Sequence, residues 1–369
     1  MKKIYLSQKL GQSGDALRQA LNSCCVAWDS LPGTRDIWVR DFMPVRNGAG
    51  EWVAFSYDPS YLRDCPHRRT VVAETMEHRL ALEIRYVPLR LDGGNVIFSP
   101  SRQQAVVSER VFSENPGLTT GQVIHQLEEA LAAEAIFIPD LPEDLTGHAD
   151  GMVRFLDDHT ALGNKSVGDG ALEAEIRRIL AGHGIEVLDF PYYETDRINA
   201  EGVRSAEGSY LNYLETEHHL FLPVFRTAAK DAEAIRAAEG IFGKKVVPVD
   251  CRRIARMGGG LHCVTWEADD ALRSDWVRRR EYGVIHCPVC GRRTLSTWWI
   301  CPRCGWEAEE NLMMEETSDA NGGLSAAQYR RAWTAAGSPV ADPEDLHDPG
   351  WRELDGAVYF RREDVEYQL

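Results

Sequence analysis

Residues 1 to about 270 alternate short β-type runs with amphipathic helical stretches, and no other feature restricts the fold as much. Runs rich in β-branched or aromatic residues fall at 3–6, 52–57, 96–99, 136–139, 152–156, 220–225 and 246–249. Between them, 14–23, 120–133, 171–182 and 229–241 carry helical periodicity. In the second of these, Val123, Ile124, Leu127 and Leu131 share one stripe, and Thr120 stands where an N-cap is expected. This rhythm predicts an α/β domain.

The composition shifts beyond that domain. Arg273, Arg278, Arg279, Arg280, Arg292, Arg293 and Arg303 face only Asp275 and Glu281. After Cys304 the sign reverses through Glu307, Glu309, Glu310, Glu315, Glu316 and Asp319, ending in Asn321-Gly322-Gly323. An acidic stretch closed by glycines reads as a linker. A helix from about 325 to 335 follows, then loops at Pro339, Pro343 and Pro349, and a strand at 357–360. The expected parts are a catalytic domain over 1–272, a zinc ribbon over 281–306, a linker over 307–323 and a small C-terminal α/β module over 324–369.

Nine cysteines are present. Cys287-Pro-Val-Cys290-Gly and Cys301-Pro-Arg-Cys304-Gly form two C-x-x-C knuckles, which can offer four thiolates to one structural Zn²⁺. Of Cys24, Cys25, Cys65, Cys251 and Cys263, only the last follows a glycine run, Gly258-Gly259-Gly260-Leu261-His262-Cys263. The formal charge of −16 (41 Lys+Arg against 57 Asp+Glu) argues against a general nucleic-acid-binding surface. Met-Lys-Lys-Ile-Tyr-Leu-Ser leads into polar sequence with no apolar core, so no secretory signal is expected, and no stretch is apolar enough to span a membrane. The cytoplasm is the expected compartment.

Five polar stations punctuate the first domain: Trp38-Val39-Arg40-Asp41, Asp92-Gly93-Gly94-Asn95, His148-Ala149-Asp150, Ser209-Tyr210-Leu211-Asn212-Tyr213 and His262-Cys263. Counted from Asp41, Asp92, His148, Asn212 and Cys263, their gaps are 51, 56, 64 and 51 residues. Such spacing suggests that each of several repeats sends one loop to a shared centre. Singly, each station has a plainer reading. Asp41 could pair with Arg40 at the surface, Asp92-Gly-Gly-Asn95 could be a tight turn, and His148 or Asn212 could satisfy loop backbone.

Taken in this order, the five signatures resemble the agmatine deiminase and bacterial peptidylarginine deiminase family of the guanidine-modifying superfamily, over residues 25 to 270. The resemblance implies a pseudo-fivefold α/β propeller of ββαβ units around a central channel. It implies that Asp41 and Asp150 clamp a guanidinium, whose planar fork of donors suits paired carboxylates. By the same resemblance, Trp38 packs against the substrate, and Cys263 attacks the guanidinium carbon. His148 acts as general acid and then base, Asp92 supports it, and Asn95 and Asn212 line the site. No cofactor is implied for catalysis.

Agmatine is the expected substrate, with free or peptidyl arginine and an amidino-transfer reaction as alternatives. Agmatine deiminases commonly carry Gly-Gly-Gly-Asn-Ile-His-Cys, and the corresponding loop here is one residue shorter. Arg63, in Tyr61-Leu62-Arg63-Asp64, is a candidate for recognising a substrate carboxylate, with a solvated surface arginine as the alternative. The locally basic ribbon, with Trp298, Trp299 and Trp306, could contact single-stranded nucleic acid or a protein.

Overall fold

The computed structural model describes residues 2–141, 144–165, 170–269 and 271–272, and beyond them 284–291, 293–295, 299–301, 303–308, 317–318, 321–339, 351–354, 357–362 and 365–368. The chain forms two compact units, Met1–Ala271 and Leu272–Leu369.

In the first unit the strands are β1 (Lys3–Ser7), β2 (Trp28–Leu31), β3 (Val45–Arg46), β4 (Trp52–Ser56), β5 (Ile84–Arg90), β6 (Ile97–Phe98), β7 (Gln104–Ser108), β8 (Glu134–Ile138), β9 (Val153–Phe155), β10 (Thr160–Asn164), β11 (Glu186–Phe190), β12 (Leu214–Glu215), β13 (His219–Val224), β14 (Lys245–Asp250) and β15 (Trp266–Ala268). They assemble as five three-stranded sheets with orders β3-β4-β5, β6-β7-β8, β9-β10-β11, β12-β13-β14 and β15-β1-β2. In every sheet the central strand pairs antiparallel with the first and parallel with the last. A parallel pair needs a crossover, and helices Asp15–Ser23, Thr120–Leu131, Ala171–Gly182 and Ala228–Ile241 supply four of the five. The expected pseudo-fivefold ββαβ propeller is therefore present. Its ring closes through sequence-distant pairing, with Lys3 opposite Ala268 and Tyr5 opposite Trp266.

Burial explains which runs become central strands. β1, β7 and β13 are buried along nearly their whole length because sheets and helices cover both faces. The crossover helices supply the outer cover. Leu17 and Leu21 share a core with Leu222 and Val249, Val123 and Leu127 with Leu89 and Val107, and Ile176 and Leu180 with Val106 and Ile138. At the ring closure Trp266 is fully packed, its indole N–H donating to the Pro44 carbonyl at 2.8 Å. Truncating a tryptophan in such a position costs about 3–5 kcal/mol.

Some expectations need correction. The N-cap of the second helix is Thr119, whose side chain accepts from the Gln122 N–H while Gln122 reaches back, completing a capping box. Thr120 is the first helical residue, and the helix stops at Leu131 because Ala132 turns left-handed. Strands β2, β3, β5, β7, β10, β11, β12 and β15 were not anticipated. β10, Thr-Ala-Leu-Gly-Asn, has little β-propensity and is a strand because it lies between two partners. The crossover from β4 to β5 lacks a long helix and runs through the short turns Ser60–Leu62, Pro66–Arg68, Val72–Thr75 and Glu77–Arg79.

In the second unit, Val284–His286 pairs with Arg293–Leu295, and Trp299–Ile300 with Glu307–Ala308, both antiparallel. Each hairpin carries one C-x-x-C knuckle at its turn. Gly291 and Gly305 adopt φ of 75° and 73°, and their N–H groups close the turns on the Cys287 and Cys301 carbonyls. The helix Ala326–Ala335 starts in a capping box of Ser325 and Gln328. Cys287, Val289, Cys301, Cys304, Trp306 and Ala326 form one cluster, with Tyr329 and Trp333 packed against it. Ribbon and helix, expected as separate parts, thus share a core. Within the stretch expected as linker, Glu307–Ala308 belongs to the second hairpin and Thr317–Ser318 pairs with Leu324–Ser325. Three antiparallel strands, Trp351–Leu354, Ala357–Arg362 and Val365–Gln368, complete the unit. Arg273, Arg278, Arg279, Arg280, Arg292, Trp298, Glu309, Glu310, Glu315, Glu316 and Asp319 lie outside the described residues. Among the described residues no helix is long and apolar enough to cross a membrane.

Candidate active site

Each polar station occupies the equivalent place in its repeat, the turn that leads into the first strand of a sheet. Asp41 precedes β3, Asn95 precedes β6, Asp150 precedes β9, Asn212 precedes β12 and Cys263 precedes β15. These turns lie at the carboxyl ends of the parallel strands β2, β5, β8, β11 and β14, where open α/β folds place their ligands. Five such turns bring together residues up to 223 positions apart, as where the Arg40 N–H donates to the Cys263 carbonyl.

Gly94 marks the centre. A Cβ built there would stand 2.5 Å from Asp41 Oδ1, 2.8 Å from His148 Nδ1 and 3.5 Å from Asp150 Oδ2. Only a residue without a side chain leaves this space open. Cys263 Sγ lies 3.4 Å from Asp150 Oδ2 and 3.3 Å from Asn212 Oδ1. Asp41, Asp150, His148 and Cys263 are all buried, at 6, 2, 9 and 9% exposure. Asp41 is therefore no surface ion-pair residue. Its Oδ1 has no hydrogen-bond partner among the described residues, although His148 Nδ1 is 3.5 Å away.

Asp92 meets His148 as expected, with its Oδ2 3.0 Å from Nε2. That contact leaves Nδ1 facing the cradle at Gly94. Burial by itself lowers the His148 pKa, but Asp41, Asp92 and Asp150 outweigh it and raise the value to about 10. Burial pushes the Asp41 carboxyl well above the usual carboxylate range despite the opposing pull of His148. Burial would raise Asp150 too, yet its hydrogen bond and charge contact with His262, together with the charge of His148, hold it at about 2. The Cys263 thiol is driven well above its ordinary value by burial, then by Asp150 and Asp41.

Asn212 acts on backbone as well as on the thiol. Its Oδ1 accepts from the His262 and Cys263 N–H groups at 3.0 and 3.2 Å, which fixes the loop bearing the sulfur. Close packing accounts for the glycines of that loop. A Cβ at Gly259 would meet the Trp38 ring at 2.4 Å, and one at Gly260 would meet Asn212 Oδ1 at 2.6 Å. Trp38 thus backs the glycine loop with its six-membered ring.

Asn95 lines the cleft described below, and its Oδ1 accepts from the Ser108 and Ala149 N–H groups at 2.9 and 3.1 Å. That side chain ties β7 to the His148 turn. Arg63 is exposed, and no contact joins it to the site among the described residues.

Other residues were overlooked. His262 Nδ1 lies 2.8 Å from Asp150 Oδ2, and burial with the nearby Arg40 and Arg154 lowers its pKa to about 3, so it is a neutral donor to that carboxylate. Its position beside Cys263 was the available signal. Tyr61 donates from its hydroxyl to Asp92 Oδ2 at 2.6 Å. It stands two residues from Arg63, in a segment already singled out. Tyr61, Asp92, Asn95 and His148 line a cleft together with Arg90, Arg110 and Glu114.

In the second unit, the Cys287, Cys290, Cys301 and Cys304 sulfurs all lie within 4.8 Å of one another, the pairs Cys287–Cys304 and Cys290–Cys301 at 3.5 Å. A tetrahedral ion with sulfur ligands at about 2.3 Å sets them roughly 3.8 Å apart, so this set fits such an ion.

Known proteins give the same picture. A protein of Shewanella frigidimarina (strain NCIMB 400) named "Putative agmatine deiminase" is 24% identical over 273 residues, covering 63% of this chain and 73% of that one. Among solved structures, the fold matches the agmatine deiminase of C. jejuni (TM-score 0.54, 18% identity, 73% of this chain and 94% of that one). It also matches the agmatine deiminase of Enterococcus faecalis (TM-score 0.58, 16% identity, 73% and 93%). Residues 11–268, well over half of the chain, match the model of one family across all five stations, and the chain accordingly belongs to the Porphyromonas-type peptidyl-arginine deiminases, hydrolases of C–N bonds in linear amidines.

Proposed function

We propose that the protein hydrolytically deiminates a small guanidine, agmatine first among them, through a covalent intermediate on Cys263. The observation that carries this reading is Asp41 Oδ1, a buried carboxylate oxygen without a hydrogen-bond partner, across the Gly94 cradle from Asp150 and close to a thiol and a histidine. A guanidinium supplies what this site lacks: a planar cation with several donors.

Asp41 and Asp150 hold the guanidinium. Its positive charge offsets the two carboxylates that disfavour the thiolate, so binding lowers the Cys263 pKa, and the thiol releases its proton to solvent to become the nucleophile. Sγ forms a bond to the central carbon, and the C=N electron pair moves to nitrogen. His148 gives the proton on Nδ1 to the departing nitrogen, the C–N bond breaks, and ammonia leaves an amidino-thioether. The neutral imidazole then takes a proton from water as its oxygen bonds to carbon. Cleavage of C–S, with the hydroxyl proton passing to the departing sulfur, returns the Cys263 thiol and releases a ureido product. For agmatine that product is N-carbamoylputrescine. Asn212 holds the sulfur on line, Asp92 holds His148, and Trp38 backs the loop.

The cleft favours a cationic tail. Arg90 and Arg110 are matched there by Asp58 and Asp140, while Glu114 has no cationic partner among the described residues. An ammonium group suits that balance better than a carboxylate does. The names of two sequence relatives, each "Putative agmatine deiminase", support agmatine as well. Initial rates on agmatine, free arginine and a peptidylarginine test the proposal. The highest kcat/KM is expected with agmatine, and absence of a ureido product from all three would sink the deiminase reading.

For the second unit we propose a structural Zn²⁺ held by Cys287, Cys290, Cys301 and Cys304, on the sulfur spacing given above. It takes no part in catalysis.

A further inference from the structure

Tyr61 sits on the 3₁₀ turn Ser60–Leu62, just after β4, in the one crossover without a long helix. Its placement is built into the fold. The Ser60 N–H and hydroxyl both donate to Glu114, and Leu62 is buried at 7%. Anchored on both sides, the phenol hydroxyl donates to Asp92 Oδ2 at 2.6 Å, and the same oxygen stands 3.0 Å from His148 Nε2. One carboxylate oxygen therefore serves two donors. We infer that Tyr61 is a positioning residue of the active site, whose hydroxyl competes with His148 for Asp92 and thereby sets how firmly the histidine keeps its proton.

Two donors on one acceptor share its charge, so each bond is weaker than it would be alone. Burial and the nearby Asp92 keep the Tyr61 pKa well above that of an ordinary phenol, so it remains a neutral donor. The other charged groups facing His148 are Asp41, from the turn before β3, and Asp150, from its own turn. Neither is hydrogen-bonded to Tyr61. Tyr57, just after β4, faces Asp92, Asp41 and Tyr61, and burial with the two carboxylates keeps it a neutral phenol, so the Asp92→Asn background is what separates the direct route from one through Tyr57. A histidine held too tightly is a poor acid towards a departing amine, and sharing Asp92 with Tyr61 loosens that hold.

The test is Tyr61→Phe in two backgrounds, native and Asp92→Asn, reading the His148 titration by NMR on ¹³C-labelled histidine. In the native background the His148 midpoint is expected to rise by about half a unit to one unit. In Asp92→Asn the same change should move it by less than about 0.2 unit, since the route is gone. Incorporating 3-fluorotyrosine at position 61, a stronger donor, should move the midpoint the other way. With a turned-over guanidine, Tyr61→Phe should lower kcat about three- to tenfold while KM changes less than about twofold. A merely structural tyrosine would leave the His148 midpoint in place. An unmoved midpoint, or equal shifts in both backgrounds, would overturn the inference. Only the kcat arm rests on the deiminase reading. If no guanidine is turned over, that reading falls while the titration still decides the role of Tyr61.

Discussion

Replacing Asp92 with asparagine removes the charge closest to His148. The two groups are 3.0 Å apart with side-chain exposures of 7 and 8%, so solvent screens them little. Asparagine keeps an acceptor oxygen and loses the charge. A buried charge-assisted hydrogen bond contributes about 1.5–3 kcal/mol, and each pKa unit corresponds to 1.36 kcal/mol. His148, now raised to about 10 against the burial that opposes it, should therefore fall by roughly one to two units. The sign is fixed by the direction of the shift. A histidine raised in the folded state stabilises the fold fully below its unfolded value and loses that contribution as pH climbs through about 10. In Asp92→Asn the contribution should be smaller and its loss complete at lower pH. The assay is a ¹³C NMR titration of His148 in both proteins, with urea melts across the same range. A variant histidine that titrates at the native pH, or above it, would refute the electrostatic account of this pair.

Gly94→Ala tests the cradle. Its methyl would lie 2.5 Å from Asp41 Oδ1 and 2.8 Å from His148 Nδ1, so kcat/KM should drop at least about 100-fold in a protein whose circular dichroism is unchanged. Asn212→Ala leaves the buried His262 and Cys263 N–H groups without their side-chain acceptor and should cost about 1–3 kcal/mol in urea unfolding, alongside a loss of kcat. For the ribbon, thiol modification of purified protein should release one Zn²⁺ per chain to a colorimetric chelator. Cys287→Ser should release none and should alter the near-ultraviolet signal of the packed Trp306 and Tyr329.

Much of the fold was legible because the long helices and three of the five central strands, β1, β4 and β13, announce themselves by apolar pattern, whereas the central strands β7 and β10 did not. The helix at 171–182 has the expected bounds, and β1, β4 and β13 fall on the expected runs. The missed strands owe their conformation to neighbours. β10 is held by pairing on both sides, and the exposed β5 and β11 lack an apolar signature. Ring closure between Tyr5 and Trp266 leaves no local trace in sequence. In the site, the stations could be read because chemistry requires particular residue types in each turn. Their partners were harder to find. Asn95 and Asn212 look alike in sequence, yet one amide oxygen binds the Ser108 and Ala149 backbone while the other also reaches the thiol. The segment Tyr61-Leu62-Arg63 drew attention for its arginine, whereas the geometry brings the tyrosine to Asp92 and leaves Arg63 exposed.

Rapid quenching of the protein during turnover of agmatine, followed by intact-mass and peptide analysis, tests the central claim most directly. The account predicts an amidino adduct on the Cys263 peptide and on no other cysteine, absent from Cys263→Ser, which should also be inactive. An adduct located elsewhere, or a Cys263→Ser protein that retains native activity, would contradict it.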